Sequence, residues 1–157
     1  MQEKAAPTRL RHYIGWFFLT IILAQPVATA FAFAGPAPIV TTGTDGNTLK
    51  VHLEVSPGNV GFNHFTLTVA DYVTGSPISD ATVTLGFLFN GRESIGTSAL
   101  PLTSLGKGTF SADGANLSLG GSWNITAQVE TTQWMYDVPL QLTTRQPRRL
   151  EIGRAHV

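Results

Sequence analysis

The chain contains no cysteine. That removes disulfide frameworks, thiolate zinc centres and cysteine nucleophiles together. An exported location stays open, because a domain with an adequate core needs no disulfide. Methionine occurs only at Met1 and Met135, and away from the chain ends histidine occurs only at His52 and His64. Charge is sparse, at 13% of residues. Between Gly43 and Thr144 the basic residues are Lys50, Arg92 and Lys107, against eight acidic ones, a net of −5. A body of that sign does not suit a nucleic-acid backbone, which needs Lys and Arg to displace counterions. No Gly-x-Ser-x-Gly, phosphate-loop or His-Glu-x-x-His pattern occurs, so the chain is expected not to be an enzyme.

Tyr13 to Ala34 reads "YIGWFFLTIILAQPVATAFAFA" without a charge, long enough for a bilayer core of about 30 Å. Arg9 and Arg11 precede it, which assigns residues 1–12 to the cytoplasm and sends the rest outward. Two readings of 13–34 fit: a retained transmembrane helix, or a signal peptide cleaved at a small-residue site such as Ala28-Thr29-Ala30. Under the first the protein is a cell-membrane protein with an extracytoplasmic domain; under the second it is periplasmic or secreted. Residues 35–47 are rich in Pro, Thr and Gly and read as a flexible linker. Residues 145–157 read as a tail. Its last seven, "EIGRAHV" (151–157), match one translation frame of a widely used short-read sequencing adapter and are expected to be an artefact.

From Thr48 the pattern changes to period two. "TLKVHLEV" puts Leu49, Val51, Leu53 and Val55 on one face and Lys50, His52 and Glu54 on the other. Later segments repeat this with Phe65, Leu67 and Val69, with Val83, Leu85 and Phe87, and with Trp123, Ile125, Ala127 and Val129. Turns are marked by Pro57-Gly58, by Gly75-Ser76-Pro77 and by Gly120-Gly121. Gly114 reads as a further turn, and Leu117 and Leu119 as cover for Trp123. The sum is seven short strands over 48–144 with no helix after residue 35. The expected fold is an all-β, immunoglobulin-like antiparallel sandwich preceded by one hydrophobic N-terminal helix. A barrel is the alternative, because strand count does not separate the two. Trp123 is expected as the plug between sheets, with Phe65, Leu67, Val83, Leu85, Phe87 and Ile125 around it.

With cysteine absent, imidazole and thioether are the remaining copper ligands. His52, His64 and Met135 are therefore the candidate metal residues, on three different strands. The ordinary reading of both histidines is a solvated surface side chain, since each falls on the polar phase of its strand.

Several stretches together resemble one family. They are "LKVHLEVSPGNVGFNHFTLTVAD", "GSPISDATVTLGF" and "GKGTFSADGANLSLGGSWNITAQV". The shared elements are Pro57-Gly58, Gly61-Phe62-Asn63, Asp71, Gly75-Ser76-Pro77 and Gly121-Ser122-Trp123. In order and spacing they resemble the YtkA-like domain of bacterial copper resistance and copper transport proteins of the CopD class, over roughly residues 48–144. The resemblance implies an extracytoplasmic sandwich accessory to copper handling, with a membrane copper-transporter domain as partner in cis or trans. It implies copper as a possible cofactor, and a chain that is the C-terminal fragment of a larger membrane protein. Family members often carry methionines in the loop after the third long strand; here that loop, "FNGRESIGTSA", has none. A generic adhesion or protein-interaction module without a metal role is the alternative function.

Overall fold

The computed structural model describes residues 36–91 and 95–146. The expected cytoplasmic n-region, the hydrophobic segment 13–34 and the terminal heptapeptide lie outside them. Among the described residues no helix is long and apolar enough to cross a membrane.

Strict alternation becomes strand wherever it occurs. β2 (Leu49–Ser56) buries every second residue without exception. β3 (Gly61–Asp71), β4 (Thr82–Phe89), β7 (Gly121–Glu130) and β8 (Met135–Thr144) follow the same period, whereas β6 (Thr109–Leu117) changes phase between its two buried residues, Phe110 and Leu117. β5 (Thr97–Gly106) is mostly exposed and buries only Leu102. With β1 (Ile39–Asp45) these form one nearly closed antiparallel sheet in the order β1-β2-β3-β6-β5-β4-β7-β8. The inward residues make a single core, and burying each large apolar side chain contributes about 1.5–3 kcal/mol. Phe65, Leu67, Val83, Leu85, Phe87, Trp123 and Ile125 are all in it. Phe65 and Phe87 meet edge to face at 5.4 Å, although their strands stand three places apart in the sheet.

β1 corrects the linker reading of 35–47, and raises the strand number from seven to eight. The apolar period is missing there because the half-buried face carries Ile39, Thr41, Gly43 and Asp45. What sustains the strand is β-branching at Ile39, Val40, Thr41, Thr42 and Thr44, together with full pairing to β2. Its other side lies against β8. A Cβ on Gly43 would come within 2.7 Å of both the Pro139 carbonyl oxygen and Leu140 Cδ2. Since the Pro139 carbonyl faces β1, its ring nitrogen faces β1 too and has no hydrogen to give. The two strands touch there without a ladder hydrogen bond, and the sheet stops just short of closure.

The registers define two poles. β1 begins and β8 ends at one of them, with the β2–β3, β4–β5 and β6–β7 connections. We call it the terminal pole. The hairpin pole, opposite, holds the β1–β2, β3–β4, β5–β6 and β7–β8 connections.

Candidate functional site

The three candidate metal residues do not converge. His52 stands opposite Thr68 and His64 opposite Ser56, four residues apart along one ladder, or roughly 13 Å. Met135 opens β8 at the hairpin pole, opposite Glu130, and β1 separates its strand from β2. The His52 ring nitrogen Nδ1 instead hydrogen-bonds Thr42 Oγ1 at 3.2 Å. Among the described residues no group of three or more His, Asp or Glu gathers as a metal site. The spread follows from period two: outward residues share a face but are held at fixed intervals along it.

His64 does gain a carboxylate. Its Nδ1 lies 2.8 Å from Asp113 Oδ1, because His64 and Asp113 are ladder partners on β3 and β6. Ser56 is the partner on the other side, so hydroxyl, imidazole and carboxylate form one cross-strand row. Hydrolysis would need a serine–imidazole hydrogen bond and preorganised oxyanion donors in a water-excluding site. No hydrogen bond joins Ser56 to His64 in the structure, and the His64 and Asp113 side chains are 52% and 59% exposed. The row acts as a surface ion pair when the imidazole is protonated, worth about 0–1 kcal/mol.

The turn residues build the terminal pole. Asn63 is buried, on the inward phase of β3, and all its polar atoms are used. Its Oδ1 accepts the Gly58 amide at 2.9 Å, and its Nδ2 donates to the carbonyls of Asn59 and Gly61 at 2.8 and 2.9 Å. It thereby clasps the loop that Pro57 and Gly58 open. Gly58 lies at φ 75°, in the left-handed region, with the Ile39 side chain where a Cβ would project. At the other pole Gly75 and Pro77 shape the β3–β4 connection: the Gly75 amide bonds the Asp71 carbonyl, and Pro77 bridges to Ala70.

Gly120 and Gly121 lead into β7, and Trp123 behind them is buried. Its cover differs from expectation. Phe89 packs edge to face on the indole at 5.1 Å, and the indole N–H donates to the Leu119 carbonyl at 3.1 Å. That carbonyl also accepts the Thr144 hydroxyl at 2.7 Å. The Leu119 side chain is partly exposed, so the backbone of this loop, not its second leucine, seats the tryptophan. Gly114 is no turn. It lies inside β6, where the register against β3 slips by one residue between Gly114 and Leu117.

A cleft of about 480 Å³ opens on the outer side of β7 and β8 at the terminal pole. Asn90, Ser122, Asn124, Gln141, Thr143 and Arg145 line it with polar groups, and Pro38 to Val40 form one rim. Among the described residues Arg145 is its only cation. Its backbone is fixed to the β2–β3 loop, donating to the Gly58 carbonyl at 3.3 Å and accepting from the Val60 amide at 3.2 Å. The cleft has no signature in the sequence, because its residues read simply as the polar phase of two strands and one loop. Comparison with models of known families, with curated proteins and with solved structures finds no match to this chain.

Proposed function

We propose that the chain is a membrane-tethered, extracytoplasmic binding domain without catalytic chemistry of its own, accessory to copper transport or resistance. The observation that carries the display role is the placement of the ends. The strand nearest the uncharged segment 13–34 begins at the terminal pole, only four residues after that segment stops. The hairpin pole lies at the far ends of the same strands and is left open to a partner. The copper setting rests on the family resemblance. Its Gly-x-Asn element has a physical role here, since Asn63 clasps the β2–β3 loop. With its imidazoles and thioether apart, the domain would serve copper by docking to a transporter domain rather than by storing the metal.

The finer fold belongs to the same reading: an immunoglobulin-like sandwich whose two sheets are joined through β5. Two features support it. Thr97–Leu102 of β5 pair with β4, while Thr103–Gly106 pair with β6. The β3–β4 and β6–β7 connections both cross between non-neighbouring strands, as in a Greek key.

Deleting the coding sequence is expected to lower the copper tolerance of its host, restored by the full chain. Unchanged tolerance would overturn the copper setting and leave an adhesion or interaction module, which the open outer faces of the sheet equally suit. Titration with Cu(I) and Cu(II) bears on mechanism separately: tight stoichiometric uptake by the isolated chain would overturn docking without storage.

A further inference from the structure

Charge is distributed unevenly between the poles. Asp45, Asp71, Asp80, Glu130 and Asp137 lie at or next to the hairpin pole, with Lys50 and Lys107 as the only cations beside them among the described residues. Among the described residues the other half of the domain carries Glu54 and Asp113, and Arg145 at its rim; the sequence adds Arg92 and Glu93, whose charges cancel, in the β4–β5 connection, and Arg148 and Arg149 shortly after Arg145 in the chain. Apolar exposure does not choose between the poles. Phe62 (71% exposed) and Leu119 mark the terminal pole, but Val73 and Met135 mark the other. What distinguishes the terminal pole is its charge, its polar cleft and the length of chain leading to it. Gly35 to Pro38 span at most about 14 Å even fully extended, and Pro38 itself borders the cleft.

We infer that the terminal pole is a lipid-docking surface, on which Arg145 and the amide and hydroxyl groups of the cleft take an anionic phospholipid headgroup. The occupant is the surface of a phosphatidylglycerol-containing bilayer. A guanidinium beside neutral donors suits a phosphodiester, which offers acceptors and one negative charge. Phe62 enters the headgroup layer beside it, as exposed aromatic side chains do at membrane surfaces. The acidic pole then points away from an anionic membrane, the orientation in which its own charge is repelled least. The inference rests on the membrane reading of residues 13–34 given above.

The absence of cysteine makes the test direct. The full chain carrying either Phe62→Cys or Val73→Cys is labelled with a fluorophore and reconstituted into phosphatidylcholine vesicles, with phosphatidylglycerol added or left out. Nitroxide on the lipid headgroups serves as quencher. With phosphatidylglycerol present, quenching at position 62 is expected to exceed that at 73 several-fold. Omitting phosphatidylglycerol, or introducing Arg145→Glu, is expected to remove most of the difference, with the unfolding curve of the Arg145→Glu chain confirming that it is folded. Equal quenching at both positions in a chain that floats with the vesicles overturns the docking and leaves the tether standing. Quenching at 62 that ignores both phosphatidylglycerol and Arg145→Glu overturns the headgroup site. A chain that fails to float with vesicles overturns the tether reading and the docking together.

Discussion

Asn63 is a polar side chain placed on the apolar phase of a strand, and its three hydrogen bonds are why that position is stable. Truncation to alanine would leave the Gly58 amide, which is buried, and two part-buried loop carbonyls without their partner. Each such orphan costs about 1–3 kcal/mol, and bulk water can reach some of the loop, so Asn63→Ala is expected to cost about 2–4 kcal/mol in urea unfolding. A loss within experimental error would show that the loop holds itself. Asp71 makes a smaller contribution at the hairpin pole. The backbone amide of Thr74, its hydroxyl and the Val73 amide all donate to one carboxylate oxygen, holding the acid below its usual 3.8. A lowered folded value means stability that is complete above 3.8 and is lost as pH falls through the folded value. Asp71→Asn keeps an acceptor and removes the charge. Its stability deficit, measured by denaturant unfolding, should be present at neutral pH and close on acidification below 3.8. A deficit of the same size at every pH would place the effect in shape rather than charge.

At the scale of elements, alternation was sufficient where one face is apolar. β2, β3, β4, β7 and β8 could be read from Leu49 to Leu142 without knowledge of their partners, because each strand carries its own burial pattern. β1 carries only part of such a signal: its residues are β-branched, but its burial is set by its neighbours. Gly43 is required by the closeness of β8, and nothing in "IVTTGTD" announces that strand. Gly114 is a related case: a glycine in a slipped register looks like a turn until the partner strand is known. Gly43 has an ordinary extended backbone, so only space decides what can replace it. Gly43→Val would press into Leu140 and the Pro139 carbonyl, which we expect to cost about 1–3 kcal/mol. Hydrogen exchange should quicken in β1 first, while the β2–β3 ladder keeps its protection. Uniform loss across the sheet would mean that β1 does not open separately.

At the scale of the molecule, the core was legible and the surface was not. Trp123 and the phenylalanines of the core declare themselves by phase, because burial of apolar area is set largely within one strand. The cleft at the terminal pole gathers Asn90, Ser122, Asn124, Gln141, Thr143 and Arg145 from positions up to 55 residues apart, each unremarkable alone. The same holds for the Ser56–His64–Asp113 row, which exists only through two registers. Conversely, His52, His64 and Met135 match as a set in their ligand chemistry, but the ladder keeps them apart. Polar sites depend on tertiary placement, and a period-two pattern says which face a residue occupies but not who stands beside it.

The position of the two ends at one pole has a mechanical consequence. A pull between whatever precedes Ile39 and whatever follows Gln146 would not pass through the core. It would load β1 at Ile39 and β8 at Thr144, two adjacent strands entering and leaving side by side. Such a load peels strands from one end, breaking few bonds at a time, whereas ends at opposite poles would shear whole ladders together. Tension between the two ends would therefore be borne by β1 and β8 at the edge of the sheet, and the strands between them would be spared.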